Sequence, residues 1–280
     1  MSPALRCVVL IVAAGSGTRL GAGIPKALVP LPGGATILEH CLQGVDRSHQ
    51  GSHRGRLVGV VVVVPPDPAA AEQLKQVCAS AAERTGLPVR TVPGGRERAD
   101  SVRTGLSACA ALGDEPGAAP VTHVLVHDAA RPFVPPAVFQ RVEDALEAGA
   151  DAVVPAVPVT DTVKTVAPWA DTVKAPGLAG KGSEPAPFQV VDTPVRAALR
   201  AVQTPQGFEL AALLRAHESA RRAGEDAAAL TDDSMLMEAA GHTVAVVDGD
   251  AESFKITSAL DLALAAAVLQ ERSATSPQTA

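Results

Sequence analysis

A chain of 280 residues with 47% hydrophobic residues is long enough for one large domain or two small ones around a sizeable core. Only 2% of the residues are aromatic and Tyr is absent, so core volume has to come from Val, Leu and Ala. A formal net charge of -6 without any Lys/Arg run excludes a broad basic surface for nucleic acid, while leaving room for a local cationic pocket.

The chain opens on an apolar run, Cys7–Ala14, that passes into the glycine-rich stretch AAGSGTRLGAGIPKAL. Gly15 and Arg19 interrupt that run too early for it to span a bilayer, and only Arg6 precedes it, so it reads as structure rather than as a signal peptide. A helix is expected over Ile37–Val45, a polar surface loop over residues 46–56, a strand over Leu57–Val64, and helices over Pro68–Arg84 and Arg98–Leu112. Strands follow at Val121–Val126 and Ala152–Val157, with a helix over Pro136–Ala148 between them. Residues 167–188 are rich in Pro, Gly and Ala without periodicity and read as a mobile insertion. "DTVK" occurs at 161–164 and again at 171–174, but two copies do not make a repeat architecture. Helices are then expected over Glu209–Ala223 and Asp232–Ala240, a short strand over Thr243–Val247, a last helix over Ala259–Gln270, and a disordered tail over 272–280.

The Val-rich runs do not alternate with polar residues, which is how strands covered on both faces read. Their alternation with helices predicts an α/β fold, a doubly wound and mainly parallel sheet. Cys7, Cys41, Cys78 and Cys109 lack C-x-x-C spacing and read as buried small hydrophobes in a reducing compartment. The expected location is the cytoplasm, with no membrane contact.

In such a sheet ligands bind outside the carboxyl ends of the strands. Gly15, Gly17 and Gly21 give G-x-G-x-x-x-G, out of step with the dinucleotide fingerprint, and Glu39, near the place of its acidic residue, falls within a helical pattern after Thr36. The G-K-[ST] of a Walker A loop is also missing. What is left is a loop whose backbone N–H groups can approach phosphates and which carries two cations, Arg19 and Lys26. Phosphoryl and nucleotidyl transfer depend on positioning and charge neutralisation, and that pairing suits them. The alternative is two solvated surface cations.

In VHDAARPF (126–133), Asp128 closes a buried strand, where one carboxylate can hold Mg²⁺ together with substrate phosphates. Its alternative is a cap for the following turn. Arg131 can bind a phosphate bidentately or pair with a nearby acid. In PGGRERADSVRTGL (93–106), Gly94, Gly95 and Ser101 can meet a base or sugar, or be only a turn and a helix cap. Arg196 and Lys255 matter only in combination with the rest, and His127, with no nucleophile beside it, reads as structural. The seven His and four Cys show no zinc-ligand spacing.

Taken in order, AAGSGTRLG…PKAL, GGRERADSV, HDAARPF, PVTDTVK, TPQGF and FKIT…DLALA closely resemble the 2-C-methyl-D-erythritol 4-phosphate cytidylyltransferases of non-mevalonate isoprenoid biosynthesis, over roughly residues 6–270. The first motif alone fits many nucleotidyltransferases; the ordered set is specific. The resemblance implies a Rossmann-like fold of the nucleotidyltransferase type over residues 1–271. It also implies a protruding β-arm that, with the insertion, spans about 158–195 and makes a homodimer. It implies that the phosphate of methylerythritol phosphate, a polyol phosphate, attacks the α-phosphorus of CTP and releases pyrophosphate. Arg19 and Lys26 would stabilise the transition state, Arg196 and Lys255 would hold the polyol phosphate, and Asp128 would ligate Mg²⁺ or another divalent metal. Ala13, Ala14, Gly15, Ser16, Gly17, Gly95 and Ser101 would receive CTP. Thr162, in the first DTVK copy, and Arg131 would complete the partner's substrate pocket.

The chain departs from the family pattern at Ala27, where Gln is frequent, at Arg96, where Asp is common, and in the insertion at 167–188. Rival readings are a ribitol 5-phosphate cytidylyltransferase, a sugar-1-phosphate nucleotidyltransferase, and a non-catalytic CTP-binding regulatory module. Ala130 before Arg131 leans toward the methylerythritol enzyme, and the regulatory module leaves Arg196 and Lys255 unexplained.

Overall fold

The computed structural model describes residues 5–15, 20, 23–50, 56–95, 97–114, 119–168, 188–223 and 232–275. The chain divides into two compact units, Met1–Ala156 with Val202–Ala280, and Val157–Ala201.

The larger unit is built on strands β1 (Cys7–Val12), β2 (Leu57–Val64), β3 (Val89–Pro93), β4 (His123–Asp128) and β5 (Ala152–Pro158), the last running on into the smaller unit. After the smaller unit come β9 (Gln206–Glu209) and β10 (Val244–Asp248). Their order across the sheet is β10-β5-β9-β4-β1-β2-β3. All neighbours are parallel except β9, which runs antiparallel between β4 and β5.

The unbroken valine runs are explained by burial on both faces. Val9 and Ile11 of β1 and Val60, Val62 and Val64 of β2 join one apolar cluster. Val8 and Leu10, with Val61 and Val63, join the other. Successive strand side chains point to opposite faces, so a strand sandwiched between helices has no solvent side to mark. Each fully buried Val, Leu or Ile contributes about 1.5–3 kcal/mol.

The first cluster is covered by α1 (Ile37–His49), α2 (Pro68–Thr85) and α4 (Pro136–Glu147), through residues such as Leu38, Leu74 and Phe139. The second is covered by α3 (Arg98–Ala111), α5 (Leu210–Ala223) and α6 (Asp233–Ala239), through Leu106, Leu213 and Met237. Helix α3 lies very close to β1: a Cβ on Gly105 would stand 2.4 Å from Leu10 Cδ1. A third, smaller cluster of Val29, Leu31, Ile37, Phe133 and Ile256 seats α7 (Ala259–Thr275).

Helix α1 starts on a capping box. Thr36 Oγ1 accepts from Glu39 N at 3.2 Å, and the Glu39 carboxylate accepts from Thr36 N at 2.6 Å. Glu39 is therefore a capping group. The helix continues to His49, so the polar stretch expected as a loop from residue 46 begins inside it. Helix α7 likewise extends past Gln270 to Thr275, so residues 272–275 are helical rather than a disordered tail, and 276–280 lie outside the described residues. All four cysteines are free and buried.

The smaller unit, Val157–Ala201, contains an antiparallel ribbon of β6 (Thr165–Pro168) and β7 (Phe188–Asp192), with Val166 opposite Val190. A 3-10 turn follows at Arg196–Ala198, and β8 (Arg200–Val202) carries the chain back. Most of the expected insertion and all of the second DTVK copy lie outside the described residues.

Candidate active site

In the larger unit three chain segments leave strands β1, β4 and β3 at their carboxyl ends. Val12 and Asp128 are register partners across the β1–β4 pair, so Ala13–Gly15 and Asp128–Arg131 emerge side by side. Ala13 N donates to Val63 O at 2.9 Å and Gly94 N to Val64 O at 2.8 Å, which draws the turn after β3 to the same edge.

That turn is packed closely. A Cβ on Gly94 would lie 2.8 Å from Ala14 Cβ and 3.0 Å from Ser101 Oγ. Gly95 N donates to the buried Ser101 hydroxyl at 3.1 Å. Ala13, Ala14, Gly94, Gly95 and Ser101 thus form one small-residue cradle, open where Gly15 is exposed. Lys26 begins a 3-10 turn, Lys26–Leu28, whose Ala27 is buried in the core below. Ser16, Gly17 and Arg19 of the same loop, and Arg96 after Gly95, lie outside the described residues.

Asp128 does not cap the next turn with its side chain. That turn is closed by the backbone, Arg131 N donating to Asp128 O at 3.0 Å. The Asp128 carboxylate instead accepts from Lys255 Nζ at 2.7 Å and faces Arg131 Nε at 3.7 Å. Burial alone would push this carboxyl up, but Lys255, then Arg131 and Arg98, outweigh it and hold it below the usual carboxylate range. Asp128 is therefore an anion at neutral pH.

The Lys255 segment is locked to the Asp128 segment at two further points. Arg131 Nη1 donates to Ser253 O at 2.6 Å, and Ile256 N donates to Ala130 O at 2.9 Å. The Arg131 guanidinium is thus engaged within its own protomer. This contact with Asp128 matches the acid-pairing alternative of the sequence.

The sequence singled out neither Arg98 nor Thr204. The Thr204 hydroxyl accepts from Asp128 N at 3.1 Å and meets His127 Nδ1 at 2.7 Å. Burial pushes His127 down to about 4, so it is a neutral structural residue near pH 7. Arg98 opens α3 and donates to Asp233 Oδ2 at 2.8 Å, while Asp233 Oδ1 meets His217 Nε2 at 3.0 Å. Burial would raise Asp233, but the His217 hydrogen bond and the Arg98 charge hold it down. Arg98 stands inside GGRERADSV and Thr204 begins TPQGF, so both motifs marked the region. No spacing rule links Arg98 to an acid so far along the chain.

In the smaller unit Arg196 Nη1 donates to Thr160 O at 2.9 Å, close in sequence to Thr162, and Lys164 Nζ donates to Thr193 Oγ1 at 2.8 Å.

No cluster of three or more His, Cys, Asp or Glu side chains suited to a metal is present among the described residues. Asp128 is a single carboxylate. Such a donor set fits a divalent ion that arrives with phosphate ligands, as Mg²⁺ commonly does, and not a closed protein cage.

A family model for 2-C-methyl-D-erythritol 4-phosphate cytidylyltransferase matches residues 7–271. The chain is 48% identical over 272 residues to the enzyme of that name from Streptomyces coelicolor, covering 97% of this chain and 87% of the relative. It is 42% identical over 266 residues to the one from Rhodococcus jostii, covering 94% and 95%. Among solved structures, the 2-C-methyl-D-erythritol 4-phosphate cytidylyltransferase of Thermus thermophilus superposes with a TM-score of 0.64 at 33% identity, covering 94% of this chain and 98% of that one. The 4-diphosphocytidyl-2C-methyl-D-erythritol synthase of Anaerococcus prevotii gives 0.70 at 26%, covering 95% and 99%. A mainly parallel sheet with a small-residue cradle and a lysine-paired aspartate at its carboxyl edge, matched along nearly the whole chain, makes this protein a member of the 2-C-methyl-D-erythritol 4-phosphate cytidylyltransferase family of nucleotidyltransferases.

Proposed function

We propose that the chain transfers the cytidylyl group of CTP to 2-C-methyl-D-erythritol 4-phosphate. A phosphate oxygen of the polyol phosphate attacks the α-phosphorus of CTP, the bond to the bridging oxygen of the β-phosphate breaks, and pyrophosphate leaves. The observation that carries this reading is the Ala13–Gly15, Gly94–Gly95 and Asp128–Lys255 convergence at one sheet edge.

The difficulty of the step is electrostatic, because an anionic phosphate must approach a polyanion. No general base is required, since the nucleophile is ionised at neutral pH. The cradle of Ala13–Gly15, Gly95 and Ser101 admits the triphosphate to backbone N–H groups, and Ser16 and Gly17, next in sequence, are assigned to CTP with it. Arg19 and Lys26, on the loop after β1, stabilise the charge that builds at the α-phosphorus. Lys255 and Arg196 hold the polyol phosphate, and Thr162 completes its pocket from a second subunit. Arg131 contributes by fixing the Lys255 segment. Asp128 would hold a divalent cation, with Mg²⁺ the natural candidate, which would supply further neutralisation of the phosphates.

The second subunit is inferred from the ribbon. Phe188, Val190, Val191 and Val195 are 62%, 59%, 56% and 75% exposed, an unusual apolar display for a lone soluble chain. A homodimer formed through the β6–β7 ribbon covers it. CTP as donor and four reduced cysteines support a cytoplasmic location.

The test is pyrophosphate release from CTP and Mg²⁺ with methylerythritol phosphate, with ribitol 5-phosphate, and with no acceptor. Release with the first acceptor alone is expected. Release with ribitol 5-phosphate alone, or with neither acceptor, overturns the reading.

A further inference from the structure

Helix α7 reaches the site's two interlocked segments from their outer ends in sequence. Its residues Leu262, Ala265 and Leu269 fall on one stripe and pack into the third apolar cluster with Phe133 and Ile256. Three positions beyond Leu269 on that stripe stands Arg272, just past the family-matched segment.

Arg272 contacts both segments there. Its Nη2 donates to Phe133 O at 3.3 Å and to the Glu252 carboxylate, and its guanidinium carbon lies 5.2 Å from the centroid of the Phe133 ring. Phe133 closes the segment that begins at Asp128, and Glu252 opens the segment that leads to Lys255. The Arg272 and Glu252 side chains are 37% and 47% exposed, so their Coulomb attraction alone is weak. The position of Arg272 is set by the combination of carbonyl, carboxylate and ring, a geometry that suits a planar guanidinium.

We propose that Arg272 is a positioning residue for the transfer reaction. It pins the Glu252–Lys255 segment to the Asp128–Phe133 segment and thereby fixes Lys255 against Asp128. The kinetic part of this inference rests on the role assigned to Lys255 above; the structural part does not.

The test uses the full chain with Arg272→Ala, Arg272→Lys and Lys255→Met, and the Arg272→Ala/Lys255→Met double variant. Loss of a charge-assisted hydrogen bond predicts about a tenfold fall in kcat/KM for the polyol phosphate in Arg272→Ala, with KM for CTP little changed. Arg272→Lys recovers part of the loss, and Arg272→Ala adds nothing in the Lys255→Met background. Amide hydrogen exchange supplies a readout independent of turnover: in Arg272→Ala the Ile256 N–H, bonded to Ala130 O, exchanges faster. Unchanged protection at Ile256 overturns the clamp whether or not the wild-type protein is active. Faster exchange with unchanged kinetics in an active enzyme, or additive effects with Lys255→Met, overturns the positioning role. Wild-type inactivity toward methylerythritol phosphate counts against the proposed function, and the exchange result then decides the clamp.

Discussion

Lys255 Nζ stands 2.7 Å from the Asp128 carboxylate, although one ends a central strand and the other lies in the loop before the last helix. The pair places a cation at the sheet edge where Ala13–Gly15 also emerges. It also keeps Asp128 ionised despite its burial. A lysine so held has already given up rotamer freedom that a free surface lysine would lose on binding an anion.

Lys255→Met leaves Asp128 with Arg131 as its near cation, and the carboxyl pKa rises accordingly. The expected kinetic outcome is a fall of about 10²–10³ in kcat/KM for the polyol phosphate, the scale seen when one preorganised charge partner is removed from a transition state. CTP affinity, measured by calorimetric titration, stays within a few-fold. Loss of CTP affinity with an intact polyol phosphate KM would assign Lys255 to the nucleotide instead.

Gly94→Ala tests the cradle. The new Cβ would meet Ala14 Cβ at 2.8 Å and Val64 O at 3.1 Å, and the second of these is backbone that cannot rotate away. The turn has to move, at a cost of about 1–3 kcal/mol in stability. Because Gly95 and Ser101 move with it, KM for CTP rises about tenfold or more, since misplacement of about 1 Å at a positioning group is costly. Steady-state kinetics with each substrate varied in turn checks this, and a rise confined to the polyol phosphate KM would remove the turn from the nucleotide site.

Legibility from sequence follows the range of the interactions. Strands β1 and β2 could be read because valine runs buried on both faces are a local signal. Strand β9 could not: its four residues, QGFE, show no run, and it exists because β4 and β5 leave an antiparallel slot between them. The β6–β7 ribbon carries no local pattern, its exposed valines lying beside a Pro- and Gly-rich stretch, so an arm there was implied by the family resemblance alone. In the site, Asp128 announced itself as a carboxylate ending an apolar strand. Its pairing with Lys255 and the salt bridge from Arg98 to Asp233 are long-range outcomes of the fold. Glu39 shows the reverse: it stands near the place of a fingerprint acid, but the helical pattern after Thr36 set it aside in the sequence, and local capping by Thr36 gives it its role.

The ribbon makes a separate prediction about assembly. Val190→Asp puts a charge on the exposed apolar side of β7 without touching the larger unit's core. If this surface packs against a second copy, the charge is buried without a partner, which is strongly unfavourable. Sedimentation velocity at micromolar concentration then shows a wild-type dimer and a Val190→Asp monomer, with turnover falling alongside because Thr162 no longer reaches its partner's pocket. A monomeric wild-type protein, or a dimeric variant of full activity, would refute the assembly.

Stability should carry a pH signature from Glu143, which lies 5% exposed on α4 with Arg56 Nη1 at 3.9 Å. Arg56 is shared with Asp144 and Glu147, so it neutralises Glu143 only in part. Burial, aided by those two acids and opposed by Arg56, raises the Glu143 carboxyl from 4.5 to about 7. Between these values the folded state holds a proton that the unfolded chain has released. The contribution is therefore fully present below pH 4.5 and is lost as pH rises through about 7. Buried His127, lowered from 6.5 to about 4, acts in the opposite sense, adding stability as pH rises across its own window, so the wild-type profile partly conceals both groups. Glu143→Gln mimics the protonated acid at every pH. Its stability relative to wild type, from urea unfolding, should rise by about 2–3 kcal/mol between pH 5 and pH 8. Parallel pH profiles for the two proteins would show that Glu143 is charged in the fold throughout, with Arg56 as its full partner.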